Sequence, residues 1–257
     1  MKVIGCYNIK GGVGKTATAV NLASLAANEG KRTLIWDLDP QGAATYYFRI
    51  KPKVKGGGRG LLRKRCSLDH LVKGTDFEYL DLLPADFSYR NLDLVLEENK
   101  KPTKQLGRLL KPLSQEYDCI FLDCPPSISL VSENIFRAAD ALLVPMIPTT
   151  LSARTLDQLQ EFLAGHAFNP NMQFMPFFSM VDRRKRLHTD LMAALPKAYP
   201  DFLQTSIPYS AEVERMGVYR MPVVLKSPDN PASKAYSALW QEVKTRLYPS
   251  PRTGDQG

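Results

Sequence analysis

Residues 2–18 read KVIGCYNIKGGVGKTAT, and this stretch decides the fold. The apolar run Val3–Tyr7 predicts a buried strand, and Thr16–Asn28 predicts the helix that follows. Between them lies Gly-Gly-Val-Gly-Lys-Thr at Gly11–Thr16. Glycines at such a turn let backbone N–H groups surround phosphate oxygens, and the helix N-terminus adds partial positive charge. The stretch therefore predicts a phosphate loop, with Lys15 on the β- and γ-phosphates and the Thr16 hydroxyl on Mg²⁺.

The rest of the chain alternates between short apolar runs and helical stretches, which predicts an α/β fold with a mostly parallel twisted sheet covered by helices on both faces. No repeat or linker divides the 257 residues, so we expect one domain over residues 1–248 and a flexible tail at 249–257. Further strands are predicted at Thr33–Trp36, Tyr79–Leu83, Cys119–Leu122, Ala141–Ile147, Phe174–Met180 and Phe202–Ile207. Further helices are predicted at Lys104–Gln115, Ser132–Ala138, Ala153–Ala164, Thr189–Ala194 and Asn230–Leu247.

Composition excludes several classes of protein. No run approaches the roughly 20 apolar residues of a membrane span, and the N-terminus lacks the zones of a signal peptide. The four cysteines show no CxxC spacing, and Cys6, Cys119 and Cys124 fall in or beside apolar runs, so we expect buried free thiols in a cytoplasmic protein. The net charge of +8 favours a polyanionic partner, although a solvated surface explains it equally well.

Two acidic segments complete the expected site. Asp37-Leu38-Asp39-Pro40-Gln41-Gly42 follows the second strand, and the strand at Cys119–Leu122 runs directly into Asp123. Carboxylates at the carboxyl ends of parallel strands face the crevice in which ligands bind. The pattern ending at Asp123 is that of a Walker B motif, whose carboxylate holds Mg²⁺, often through water.

Lys10-Gly-Gly-Val-Gly-Lys-Thr resembles the deviant phosphate loop of the ParA/MinD family of P-loop ATPases, because Ile9 replaces the usual first glycine and Lys10 precedes the glycines. Asp39-Pro40-Gln41 is the spelling of the ParA/Soj-type branch, and we expect no N-terminal helix-turn-helix domain because fewer than ten residues precede the loop. The resemblance implies three catalytic residues. Lys10 would cross to the partner subunit's nucleotide in an ATP-bound dimer, Lys15 would stabilise the transferred phosphoryl group, and Asp39 would align the attacking water.

The same resemblance implies the binding residues for ATP and Mg²⁺. Ile207–Val213 resembles the family's adenine-contacting loop, with Met180 and Asp182 on the other side of the base. Two residues depart from the family pattern: Trp36 replaces a small aliphatic residue, and Ala17 interrupts a run of threonines. The implied contacts are Lys10, Gly11, Gly12, Val13, Gly14, Lys15, Thr16 and Ala17 for the phosphates; Met180, Asp182, Pro208 and Ser210 for the base; and Thr16, Asp37 and Asp123 for the metal.

Basic residues concentrate at Arg49–Arg65, which holds eight positive charges and no acidic residue, so the rest of the chain balances at 26 basic against 26 acidic residues. We interpret this segment as a basic loop insertion that can be deleted. The sequence leaves open whether this segment contacts DNA, a partner protein or neither. Other basic groups are Arg183–Arg186, Arg215, Arg220, Lys226, Lys234 and Lys244.

The resemblance implies an ATPase that is slow on its own. Its ATP-bound homodimer would bind duplex DNA non-specifically and position a plasmid, a chromosome region or other cargo. A ParB-like protein or cargo adaptor would stimulate hydrolysis and release. We expect a nucleoid-associated protein in the cytoplasm without membrane contact. The alternatives are a MinD-like ATPase recruited to a membrane or cell pole and, on the same scaffold, an iron–sulfur carrier or a metabolic enzyme. The sequence leaves the cargo, the stimulating partner and a plasmid or chromosomal origin open.

Overall fold

A computed structural model describes residues 1–62 and 68–249 of the chain. In this part, one sheet has the strand order β3-β4-β2-β5-β1-β6-β7. All neighbouring strands are parallel except β3, which runs antiparallel to β4 at the sheet edge. The predicted α/β class is confirmed. The strands are β1 (Lys2–Cys6), β2 (Thr33–Asp37), β3 (Lys73–Gly74), β4 (Leu80–Leu83), β5 (Cys119–Asp123), β6 (Ala141–Met146) and β7 (Gln173–Phe178).

Helices cover both faces of this sheet, with 3-10 turns at Leu68–His70, Phe87–Asn91, Pro102–Lys104 and Pro112–Gln115. None of the described helices combines the length and apolarity that crossing a bilayer requires. The α-helices are α1 (Lys15–Asn28), α2 (Ala43–Tyr47), α3 (Gly57–Leu62), α4 (Leu92–Glu97), α5 (Gln105–Leu110), α6 (Leu130–Ala138), α7 (Thr150–Ala164), α8 (Arg186–Ala198), α9 (Ala211–Glu214), α10 (Met216–Tyr219), α11 (Val223–Lys226) and α12 (Pro231–Leu247).

Two hydrophobic cores flank the sheet because alternate strand residues point to opposite faces. In β2, Leu34 and Trp36 face one core, whereas Ile35 faces the other. The second core is closed by α1, whose buried alanines allow close packing, and by α12, which buries Tyr236, Leu239, Trp240, Val243 and Leu247. Cys6, Cys119 and Cys124 are buried free thiols, as predicted, and Cys66 lies outside the described residues.

The strand predicted at Phe202–Ile207 is wrong. Leu203 and Ile207 do donate backbone hydrogen bonds to β7, at the carbonyls of Pro176 and Phe178. Between them, however, the Gln204 and Thr205 amides bond the Glu242 carboxylate instead, at 2.8 and 3.0 Å. A continuous ladder therefore does not form, and the apolar side chains of this segment serve the core.

The single helix predicted at Lys104–Gln115 is also wrong. The α-helix α5 ends at Leu110, and Pro112 begins a separate 3-10 turn. Proline has no backbone N–H to continue the ladder of an α-helix, and its ring clashes with the preceding turn. The other predicted helices and strands are present with ends shifted by a few residues.

The basic segment is not a separable loop over its described residues, which end at residue 62. It contains the helix α3, and Val54, Leu61 and Leu62 are buried in the same core as Trp36. Backbone N–H groups of Val54 and Gly58 bond the side chains of Asp86 and Ser88, both at 2.8 Å. Deletion would therefore remove part of the hydrophobic core. Arg63–Arg65 and residues 250–257 of the expected tail lie outside the described residues.

Candidate nucleotide site

Three polar segments meet at the carboxyl edge of the sheet because β2, β5 and β1 are adjacent strands. Asp123 is the register partner of Asp37 on one side and of Cys6 on the other. The Leu38 amide also bonds the Asp123 carbonyl at 3.0 Å. The phosphate loop, which follows β1, is thereby placed beside both aspartates, as the sequence predicted.

The phosphate loop is supported by the Asn8 side chain on one side and is open to solvent at Gly12 on the other. The buried Asn8 side chain accepts the Lys10 amide at 2.9 Å and donates to the Pro145 carbonyl at 2.9 Å. Gly12 and Gly14 have φ values of 72° and 95°, which strongly favour glycine. A Cβ on Gly12 would meet nothing within 4 Å, whereas a Cβ on Gly14 would lie 2.8 Å from the Ser179 hydroxyl. The loop is thus a preformed cradle with free space above it.

The two lysines of the loop have different environments. Lys15 is only 7% exposed, and its Nζ donates to the Lys10 carbonyl at 3.0 Å, so the amine is held across the loop. Burial lowers the pKa of Lys15, and the Asp123 carboxylate acts in the opposite direction. Lys10 is half-buried and forms no ion pair with any described residue. Its amine is therefore available to a group outside the chain.

Asp123 and Asp37 form a buried acidic pair, and both have an exposed fraction of 0%. Asp37 Oδ2 accepts the Thr45 amide at 2.8 Å and the Thr45 hydroxyl at 2.7 Å. Asp37 Oδ1 and both oxygens of Asp123 complete no hydrogen bond with the described residues. Burial raises the pKa of Asp37 to about 6. Burial also raises the pKa of Asp123, an effect that the nearby Thr16 hydroxyl only partly offsets.

These orphaned carboxylate oxygens fit a divalent cation, because buried acceptors without partners are costly and a hard cation would satisfy them. Within the described residues, no group of three or more His, Cys, Asp and Glu side chains is arranged to hold a metal alone. A magnesium ion here would therefore draw its remaining ligands from the Thr16 hydroxyl, phosphate oxygens and water. Magnesium, which keeps several waters and binds through one or two carboxylates, suits that donor set.

Asp39 lies at a tight turn between β2 and α2. Its Oδ1 accepts the Gln41 amide at 2.9 Å, and its carbonyl accepts the Gly42 amide at 2.9 Å. Gly42, with φ of 68°, then begins α2. The turn fixes the carboxylate at the edge of the site while leaving the residue partly exposed.

The residues expected around the base also come together. A bridge joins Val181 to Pro208, and the Tyr209 amide bonds the Val181 carbonyl at 2.9 Å, so Met180, Asp182, Pro208 and Ser210 lie on neighbouring segments. Asp182, however, is engaged by Arg184, whose Nε and Nη2 donate to it at 2.9 Å each. This contact lowers the pKa of Asp182 to about 2.

Sequence reasoning missed three supporting residues: Asn8 beneath the loop, Ser179 against Gly14, and Tyr7. The Tyr7 hydroxyl donates to the Ser127 carbonyl at 3.0 Å and so anchors the loop after Asp123. Burial raises the pKa of Tyr7 above its usual range. Polar residues at the ends of apolar strands were the available signal for Asn8 and Ser179.

A phosphate loop between β1 and α1, with buried carboxylates on the adjacent strands, defines a P-loop nucleoside triphosphatase. A model of the AAA domain family matches residues 1–174. The chain is 31% identical over 247 residues to the sporulation initiation inhibitor protein Soj of Bacillus subtilis, covering 94% of this chain and 98% of Soj. It is 31% identical over 259 residues to the chromosome partitioning protein ParA of Myxococcus xanthus, covering 98% and 91%.

Solved structures share the fold. Cobyrinic acid a,c-diamide synthase from Mycobacterium smegmatis, with bound ATP analogue and magnesium, superposes with a TM-score of 0.85 at 23% identity, covering 97% of this chain and 96% of that one. A plasmid partition protein from Borrelia burgdorferi gives 0.78 at 22%, covering 95% and 98%. On the family match and the Soj and ParA relatives, the chain belongs to the ParA/MinD family of P-loop ATPases, and it is an ATPase.

Proposed function

We propose that the chain binds ATP with Mg²⁺, dimerises through the bound nucleotide, binds duplex DNA non-specifically in that state, and positions a plasmid, chromosome region or other cargo. Hydrolysis stimulated by a ParB-like protein or cargo adaptor releases the DNA, and the protein is cytoplasmic and nucleoid-associated. The observation that carries this proposal is the pair of loop lysines. Lys15 is fixed inside the site, while Lys10 is available at its rim.

The residues divide the chemistry among them. Magnesium, when bound, neutralises charge that develops on the phosphates. Thr16 and Asp123 hold the cation, Asp37 supports that end of the site, and the loop amides and Lys15 bind phosphate oxygens. Asp39 orients the attacking water, and Lys10 serves the partner subunit's nucleotide. Met180, Asp182, Pro208 and Ser210 surround the base, which requires Asp182 to exchange its contact with Arg184.

A second observation supports DNA binding. Arg215 and Lys226 lie over the Tyr219 ring at 5.0 and 5.1 Å, and Arg220 lies over the Tyr46 ring at 4.5 Å. We call Arg215, Arg220 and Lys226 the α9–α11 patch. Its cations are held in place by aromatic rings, which suits repeated contact with backbone phosphates.

The α9–α11 patch also adjoins the hydrolysis site. Tyr46 belongs to α2, which begins directly after the Asp39 turn, and Arg220 Nε donates to the Tyr46 carbonyl at 3.0 Å. A change at Asp39 on hydrolysis therefore has a short covalent and hydrogen-bonded route to Arg220. This route supports DNA affinity that depends on the nucleotide.

The decisive experiment is fluorescence anisotropy of a labelled duplex with ATP–Mg²⁺, with ADP–Mg²⁺ and without nucleotide. We expect tight binding only with ATP, and affinity that falls with salt at a log–log slope of about −0.9 per phosphate neutralised. Arg220→Ala should weaken DNA binding about tenfold, and equally for all duplex sequences, because a phosphate contact carries no sequence information. Basal ATP hydrolysis should be unchanged. Lys111→Ala, at an exposed lysine directly after α5, is the matched control.

Binding that ignores the nucleotide, or no binding at low salt, contradicts the DNA proposal. Co-sedimentation with anionic liposomes in ATP would instead favour a membrane-recruited ATPase. The variant Lys10→Ala tests whether dimerisation can be lost while ATP binding is kept. It should bind ATP normally yet remain monomeric by light scattering, and a normal ATP dimer would remove Lys10 from the interface.

A further inference from the structure

A cavity of about 290 Å³ lies far from the phosphate loop, between the start of α5, the C-terminal end of α6 and the segment that precedes β7. The residues that line it include Thr103, Lys104, Arg137, Phe168 and Asn169. The helix α6 leads into β6 from this point, so the cavity is at the edge of the sheet opposite the nucleotide site. Its volume is at the lower end of the range for small-molecule pockets.

Arg137 has unused hydrogen-bonding capacity at this cavity. Its Nη1 donates to the Ala167 carbonyl at 2.6 Å, and its guanidinium lies 5.3 Å from the Phe168 ring centroid. Its Nε is buried and has no hydrogen-bond partner among the described residues. A buried N–H donor without an acceptor is costly. An acceptor from outside the chain would satisfy it.

The cavity also has an uncompensated charge. Lys104 is exposed and forms no ion pair within the described part of the chain, and no Asp or Glu of that part lines the cavity. Two cations thus face one space without a carboxylate between them. The Thr103 hydroxyl adds a further donor. An anion in the cavity would relieve the repulsion and accept these hydrogen bonds.

The wall behind the cations is rigid. Phe168 packs edge-on against the buried Phe136 at 5.4 Å and stacks on His166 at 5.4 Å with an interplanar angle of 17°. The Asn169 side chain donates to the Ala139 carbonyl at 2.8 Å and accepts the Asn171 amide at 3.1 Å, which ties the segment to the end of α6. The Arg137 guanidinium therefore lies against an ordered wall, which lowers the entropic cost of binding there.

We propose that this cavity is a binding site for a small anionic molecule, recognised through a phosphate or carboxylate group by Arg137 and Lys104. Its position separates it from the nucleotide site and from the α9–α11 patch. The planar Arg137 guanidinium suits two-oxygen recognition of either anion, and Lys104 supplies a second, mobile charge.

The test uses protein labelled with ¹⁵N at arginine and saturated with ADP–Mg²⁺, so that the phosphate loop cannot take up the probe. Inorganic phosphate and malonate are titrated separately at constant ionic strength, and the Arg137 Nε–H resonance is followed by NMR. Its assignment comes from the spectrum of Arg137→Gln. We expect a saturable shift of this resonance, and the probe that binds more tightly distinguishes a phosphate ligand from a carboxylate ligand.

Lys104→Gln should weaken that binding about tenfold, in the range for one charged hydrogen bond, while Lys104→Arg should retain it. Lys100→Gln, which removes a nearby exposed lysine outside the lining, is the matched control and should bind as the wild type does. If Arg137→Gln does not fold, Arg137→Lys supplies the assignment, and the variants at the exposed Lys104 remain informative. The proposal is overturned if neither probe shifts the Nε–H resonance, or if Lys104→Gln and Lys100→Gln bind equally.

Discussion

The phosphate loop and the basic segment at 49–62 were the two most conspicuous stretches of the sequence, and the structure uses them in opposite ways. In the loop, Gly12 and Gly14 adopt the positive φ values that favour glycine, and the Lys15 amine is held across the loop. In the basic segment, the apolar Leu61 and Leu62 make the buried contacts, while Arg49 and Arg59 pair on the surface with Asp76 and Glu98. Residue chemistry therefore identified the phosphate loop, but it did not show that the basic segment contributes apolar side chains to the core.

Trp36 explains part of the difference. The indole occupies a position where the family pattern has a small aliphatic residue, and Leu61, Leu62 and Leu92 lie beside it around one small apolar cavity. The tryptophan and the basic segment are thus parts of one packing arrangement. Only the fold brings residues 36 and 61 together.

The largest expected effect is in the loop. Lys15→Gln should lower ATP affinity about 1,000-fold, because losing a buried charged hydrogen-bond partner costs several kcal/mol. The measurement is titration of a fluorescent ATP analogue, with Lys10→Ala as the control that keeps its affinity. Retained affinity in Lys15→Gln would show that the loop amides suffice without this amine.

The segment at 49–62 should respond through stability. Leu61→Ala should lower the free energy of unfolding by about 2–4 kcal/mol, because it removes buried methyl groups and leaves a cavity beside Trp36. Urea denaturation measures this change. The surface variant Lys53→Gln should stay within about 0.5 kcal/mol of the wild type. Equal effects would restore the interpretation of a detachable loop.

The third prediction concerns the rate of ATP hydrolysis and Asp39, at the turn after β2. Asp39→Ala should slow ATP hydrolysis about 100-fold, within the usual contribution of a positioned acid–base group, while ATP binding and dimerisation persist. Steady-state phosphate release measures the rate. Asp39→Asn keeps an acceptor for the Gln41 amide and should be equally slow. Rapid hydrolysis by Asp39→Asn would mean that the turn geometry, not the carboxylate, matters.

The buried acidic pair predicts a pH effect of smaller size. Burial raises the pKa of Asp37 to about 6, so between about pH 4 and 6 the folded state holds a proton that the unfolded state has lost. In nucleotide-free protein without Mg²⁺, this residue's contribution to stability therefore declines as the pH rises through that window. The decline is at most about 3 kcal/mol by the pKa difference.

The experiment compares urea unfolding of the wild type and Asp37→Asn at successive pH values, since other carboxylates with lowered pKa values, such as Asp86, act in the opposite direction. The free-energy difference between the two proteins should grow from pH 4 to 6 in favour of Asp37→Asn and then level off. A constant difference would place the bound proton elsewhere.

The smallest effect separates the two basic regions. Lys53→Gln combined with Lys55→Gln should lower DNA affinity less than threefold, a change of under about 0.7 kcal/mol, because these exposed side chains lie on a segment whose buried contacts are apolar. Arg220→Ala in the same anisotropy experiment provides the larger reference effect. A tenfold loss in the lysine variant would transfer the DNA contact from the α9–α11 patch to this segment.

The sequence predicted the sheet, the glycine-rich turn and the location of the three aspartates because these depend on local patterns: apolar strands, glycines at a turn, and acids at strand ends. It did not predict that Gln204 and Thr205 bond Glu242, or that Asn8 supports the loop from below. Such contacts join residues that only the fold brings together, or depend on side-chain direction at a strand exit. Arg137 gave no local signal either, since its missing partner is visible only once the cavity is formed.

Gly14 and Ser179 touch so closely that even a methyl group at residue 14 would collide with the serine hydroxyl. Ser179 is followed by Met180, in a left-handed conformation, and by Val181, which bridges to Pro208. The phosphate loop and the segments proposed to contact the base are consequently linked through Ser179. Anyone re-engineering the protein to accept a different base would disturb phosphate affinity at the same time, so the two specificities must be redesigned together.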